Sequence, residues 1–190
     1  MLYKIALFVH VAGVIGMFIG VGITVTAMGR VRRAGTVAAV RTWAELAVAV
    51  ERVIPASLVV LLLPALYMVN HIWGWDTPWA MTALTALIVI SALGPTINER
   101  RIRAIQRAAA GVQDGRVPPS LTARIGDPVL WLSLHAITTV MIGVVWLMTV
   151  KPGLIGSLIT MAVSILAGVG AAMPSIQRAR AQAPGDEARA

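Results

Sequence analysis

The chain has 190 residues, of which 58% are hydrophobic and only 13% charged, with a mean hydropathy of +0.82; a soluble domain of this size could not hide so much apolar surface. It contains no cysteine, which excludes disulfides, thiolate metal sites and cysteine nucleophiles. The formal charge of +8 does not point to nucleic acid, because no aromatic residues are interleaved with the arginines that carry it.

Five apolar runs follow in order, at 3–28, 53–73, 78–97, 128–150 and 153–173. The first, YKIALFVHVAGVIGMFIGVGITVTAM, is long enough to cross a ~30 Å hydrocarbon layer at ~1.5 Å per residue. Its arginines come after the apolar run rather than before it, the reverse of a signal peptide, so it is expected to stay in the mature protein. His10, Gly13, Met17, Gly20, Thr24 and Ala27 recur at alternate spacings of three and four and form one stripe. Glycines such as those of Gly16-x-x-x-Gly20 admit a neighbouring backbone, and an imidazole facing acyl chains would lack partners, so the stripe is expected to face protein. His10 then reads equally as a structural histidine bonded to a neighbour's carbonyl or hydroxyl and as a ligand or proton-handling group.

The second helix is expected to begin before its apolar core, over 37–52, with Arg41 and Glu45 close enough to pair on a water-facing stripe. Glu51 and Arg52 adjoin the apolar run and would mark a polar pocket at the cytoplasmic end of the bundle. Pro55 and Pro64 can kink this helix and free carbonyls for a neighbour. In NHIWGWDTPW, Trp73, Trp75 and Trp79 read as an interfacial belt, Asp76 or Thr77 as a cap for the next helix, and His71 as a solvated side chain. The third span is expected to bend at Gly94-Pro95 and continue as a charged helix lying on the membrane surface or against a partner. Residues 111–126 read as the longest loop. Asp127 is placed as the N-cap of the fourth span, whose stripe Trp131, His135, Thr138, Ile142, Val145 and Thr149 carries the third histidine, with Trp131 and Trp146 as interfacial anchors. The fifth span is rich in small residues and reads as a packing helix.

All the arginines fall in the segments after the first, third and fifth spans, whereas the N-terminus and the two remaining turns hold only Lys4 and Lys151. By the positive-inside rule the N-terminus lies outside and the C-terminus in the cytoplasm. The expected architecture is an all-α, polytopic membrane helical bundle of five transmembrane helices. It forms a single domain over 1–177 followed by a polar cytoplasmic tail over 178–190, the end of which is expected to be disordered.

Two buried histidines invite a bis-histidine haem b. His10 and His135 sit on oppositely directed helices, however, and at ~1.5 Å per residue their depths differ by roughly 10–15 Å, which disfavours one shared iron. His10 as a single ligand is more economical, with Tyr67, Thr82, Thr85 and Ile142 expected at its depth. The nine methionines are dispersed along the chain and argue little for copper. There is no phosphate loop, no Ser-His-Asp set at compatible depth and no carboxylate pair in the membrane.

The opening YKIALFVHVAGVIGMFIG, the Glu51-Arg52-x-x-Pro55 motif and WLMTVKP at 146–152 resemble, over most of the chain, the bacterial family of integral membrane proteins called domain of unknown function 2269. More distantly the chain is similar to the membrane protoporphyrinogen oxidase and copper-resistance D groups, which share an early histidine in the first helix. In the oxidase that histidine is implicated in haem binding, so the resemblance implies haem b on His10 and a functional pair at Glu51 and Arg52. The lysine of the oxidase's third span has no counterpart here, which leaves the scaffold rather than the activity.

Two functions are therefore expected of a bacterial inner-membrane protein surrounded by lipid. One is a redox or electron-transfer role with haem b held through His10, with Tyr67 and His135 nearby. The other is a non-catalytic subunit whose glycine stripes and basic surface pack on another membrane protein or a second copy of itself.

Overall fold

A computed structural model describes residues 1–181, and among these residues there is helix and no β-strand, only an isolated bridge between Thr36 and Arg116. The helices are α1 (Leu2–Arg33), α2 (Val37–Val50), α3 (Val53–Met68), α4 (Pro78–Leu93), α5 (Arg100–Ala110), α6 (Pro119–Ile125), α7 (Pro128–Val150) and α8 (Leu154–Ala181). Wider π-helical turns continue α3 over Val69–Trp73 and join α4 to α5 over Gly94–Glu99. Taken through these joints, five helices are long and apolar enough to cross a membrane: Leu2–Arg33, Val37–Trp73, Pro78–Ala110, Pro119–Val150 and Leu154–Gln177. The expected tail over 178–190 begins inside α8, and the rest of it lies outside the described residues.

The ends follow local chemistry. Thr36 caps α2 by accepting from the Ala39 N–H, and Asp127 caps α7 by accepting from the Val129 N–H at 2.8 Å, with Pro128 in the first turn where its missing N–H costs nothing. Thr77 does not cap α4 as expected; its hydroxyl donates back to the Trp73 carbonyl. The break between α2 and α3 falls at Glu51-Arg52 because Pro55 lacks the N–H that the Glu51 carbonyl would receive four residues on. At Gly94-Pro95 the chain widens into a π turn, which re-aims the side chains that follow.

Three apolar layers stack along the bundle. Met28, Val31, Ile102, Ile105, Leu130 and Trp131 fill the arginine-rich end, Met17, Leu61, Leu87, Ile137 and Met141 the middle, and Val69, Trp79, Ala83, Val144 and Leu147 the tryptophan-rich end. The glycine stripe of α1 is consumed within the chain. A Cβ at Gly13 would lie 2.5 Å from the Leu61 backbone nitrogen, at Gly16 2.6 Å from the Ser57 hydroxyl, and at Gly20 2.9 Å from Ile54. Contact this close replaces the hydrophobic driving force that lipid cannot supply between helices. On the far side Gly168 rests on Ala136 of α7 in the same way, so α8 is the packing helix the sequence implies, with Ile155, Ile159 and Leu166 turned outward.

Two charged segments pack more tightly than expected. Arg41 does not sit on a solvated stripe beside Glu45; it reaches across to the carbonyls of Ala109 and Val112 and to Asp114 at 3.1 Å, closing the C-terminal end of α5. The charged helix after the third span is α5 itself, which buries Ile102, Ile105 and Ala109 against α2 rather than resting on a membrane surface. The long loop contains α6, whose Leu121 and Ile125 join the same layer.

Candidate functional site

The stripe on α1 is buried throughout, and it carries His10 into the bundle at 5% exposure. The imidazole Nδ1 lies 2.7 Å from the Leu61 carbonyl of α3. A carbonyl only accepts, so Nδ1 carries the hydrogen, and in the neutral ring Nε2 presents a lone pair. That nitrogen lies 3.4 Å from the Met148 sulfur of α7. The two groups border a cavity of about 30 Å³ that Met17 and Met141 also line, among Val14, Leu61 and Leu87. A second cavity, about 20 Å³, shares His10 and Met148 and runs toward Trp73 and Trp79. Those two indoles meet edge to face at 4.9 Å, and the Lys151 ammonium lies over both, 5.4 and 5.5 Å from the ring centres.

Neither cavity at His10 is lined by Tyr67, Thr82, Thr85 or Ile142. Tyr67 stacks on His71 at 4.5 Å, and its carbonyl accepts from that ring. Thr82 bonds its own helix at Pro78, Thr85 is exposed, and Ile142 is 57% exposed. His135 donates from Nδ1 to the Trp131 carbonyl one turn back in α7. It precedes Met148, the neighbour of His10, by about 20 Å of helix. The two histidines therefore share no site.

A haem does not fit these residues. Pockets for ligands smaller than a tetrapyrrole already measure a few hundred Å³. The space at His10 is about 30 Å³, and the nitrogen that would ligate iron faces a thioether at 3.4 Å. Among the described residues no three His, Asp or Glu side chains converge, so the set around His10 is soft and carries no carboxylate.

A larger cavity, about 140 Å³, lies toward the arginine-rich end, where the break at Pro55 and the π turn at Gly94–Glu99 leave room between α1, α3, α4 and α7. Its polar side is built by Glu51, Asn98 and Glu99. Arg52 is exposed and lines no part of the cavity; Arg103 of α5 takes its place, with a guanidinium nitrogen 2.7 Å from both Glu51 and Glu99. Glu99 and Arg103 stand four residues apart on a helix, the one sequence signal for this cluster. Met17 lines both this cavity and the one at His10.

No protein-family model, curated protein or solved structure matches this chain.

Proposed function

We propose that this chain is a multi-pass protein of the bacterial inner membrane, with its N-terminus outside, that binds a soft monovalent metal ion of the Cu(I) class between His10, Met148, Met17 and Met141. The observation that carries this reading is the free Nε2 lone pair of His10 facing the Met148 sulfur at 3.4 Å. Nitrogen and sulfur donors about 2.0 and 2.3 Å from one ion, at a near-tetrahedral angle, stand about 3.5 Å apart. The Leu61 carbonyl plays the part usual behind a metal-bound histidine, holding the tautomer and the ring plane. Thioether donors select soft ions. The Born cost of burial rises with the square of the charge, so a pocket without a carboxylate favours a monovalent ion. Arginines gathered at one end of the bundle support the orientation, and lipid covers the apolar faces of α1 and α8.

The test is titration of the purified protein with Cu(I) against a chromogenic chelator. One equivalent held by the native chain and lost in both His10→Ala and Met148→Leu is the expected result. A Soret band after haem-replete expression that vanishes in His10→Ala would restore the haem reading and remove this one.

A further inference from the structure

The 140 Å³ cavity offers an independent site, and two of its polar atoms share one property. Glu51 is anchored to Arg103 through Oε2, while its Oε1 is buried without a partner, the side chain being 10% exposed. Asn98, 9% exposed, likewise leaves Oδ1 without a donor. The hydroxyls of Thr24 and Ser91 have spent their hydrogens on the carbonyls of Gly20 and Leu87, so only their lone pairs remain. The two buried side-chain atoms left without a partner among the described residues, Glu51 Oε1 and Asn98 Oδ1, are thus both acceptors. The charges lean the same way: two carboxylates, Glu51 and Glu99, face one guanidinium, Arg103. The rest of the wall is apolar, formed by residues such as Ile54, Leu58, Ile90 and Ile137. Buried acceptors left unsatisfied destabilise the fold, so a ligand that brings donors removes a penalty as well as adding contacts.

We infer that this cavity binds an amphipathic ammonium ion, a protonated primary or secondary amine on a compact apolar body, with its N–H groups on Glu51 Oε1 and Asn98 Oδ1. An alcohol brings one donor and no charge, and a carboxylate or phosphate brings no donor for either oxygen. A volume near 140 Å³ matches a body of about one aromatic ring, since engineered cavities of about 150 Å³ accept benzene.

The experiment uses the full chain in detergent and follows the fluorine resonance of 4-fluorophenethylammonium, with protein-free micelles as the blank. Saturable binding is expected, at least tenfold weaker for the isosteric alcohol 2-(4-fluorophenyl)ethanol and at least tenfold weaker in Glu51→Gln, which keeps the side-chain shape and leaves Arg103 its bond to Glu99. Leu58→Trp, which fills the apolar wall, is expected to abolish binding; Ile90→Phe serves if that variant does not fold. His10→Ala should bind the amine as the native chain does, which separates this site from the metal reading. Equal affinity for amine and alcohol, or an unchanged affinity in Glu51→Gln, overturns the inference and leaves a hydrated apolar cleft. Repeating the titration in phosphatidylcholine and phosphatidylethanolamine nanodiscs distinguishes the source: competition by the ethanolamine lipid supports a headgroup ammonium, and its absence supports a free amine.

Discussion

The imidazole of His10 does two separable things. Its N–H ties α1 to the Leu61 carbonyl of α3, and its other nitrogen faces Met148. Hydrogen bonds between membrane helices average about 0.6 kcal/mol, so His10→Ala should lower stability by about 1 kcal/mol once the lost packing is included, while Met148→Leu, nearly equal in volume, should leave thermal unfolding within error and still lose the metal. Unfolding in detergent followed by circular dichroism checks the first and the chelator titration the second; equal losses of stability in both variants would mean that Met148 is only packing. Trp131 is another residue whose role is internal. Expected as an interfacial anchor, it is 4% exposed, its indole N–H donates to the Ile125 carbonyl at 2.8 Å, and the Arg32 guanidinium lies 4.9 Å from its ring centre. Trp131→Phe should cost about 1–3 kcal/mol by leaving that buried carbonyl without its donor, readable in the same unfolding curves.

Helix packing at α1–α3 depends on the absence of a side chain. Because the nearest atom to a Cβ at Gly13 is backbone, which cannot rotate away, Gly13→Ala should force α3 outward at a cost of about 1–3 kcal/mol and break the His10–Leu61 bond. Gly22, with nothing within 4 Å, should tolerate alanine, and a Gly13→Ala variant as stable as Gly22→Ala would refute the close approach. The stripe on α1 was legible because Gly13 and Gly20 recur in step with His10, at a spacing that admits a neighbouring helix along one face. The stripe assigned to α7 was not: Leu130, Leu134, Ile137, Met141 and Val144 face the bundle, a rotation of about 100° from Trp131, His135, Thr138, Ile142 and Val145. Polarity misled because the hydroxyls of Thr138 and Thr149 bond carbonyls one turn back in their own helix, and His135 does the same, so none of them needs a partner helix. Proline was informative at 55, where the helix breaks, and that break is testable. Pro55→Ala restores a donor for the Glu51 carbonyl, so α2 and α3 should run on as one helix, and binding of the fluorinated amine should weaken as Glu51 turns from the cavity.

At the scale of the molecule, the charge pattern makes a topological prediction that the lack of cysteine renders easy to read. Asp76→Cys, in the turn before α4, should react with a membrane-impermeant maleimide on intact spheroplasts, and Asp114→Cys, in the loop before α6, only after permeabilisation. The reverse pattern would invert the orientation and place the larger cavity at the outer face.

Composition and periodicity by themselves determined the helical class, the five apolar spans, the buried face of α1 and the cap at Asp127, since each is set by residues within a few turns of one another. Only the tertiary structure decided which groups meet. Met141 and Met148 carry no periodic or polar signature and lie on a helix far from α1 in sequence, and Arg103 replaces Arg52 because a helix break and a π turn set side-chain direction at the cavity. A side chain's direction follows from the helix phase accumulated across such joints, and that phase is settled by packing rather than by local residue preference.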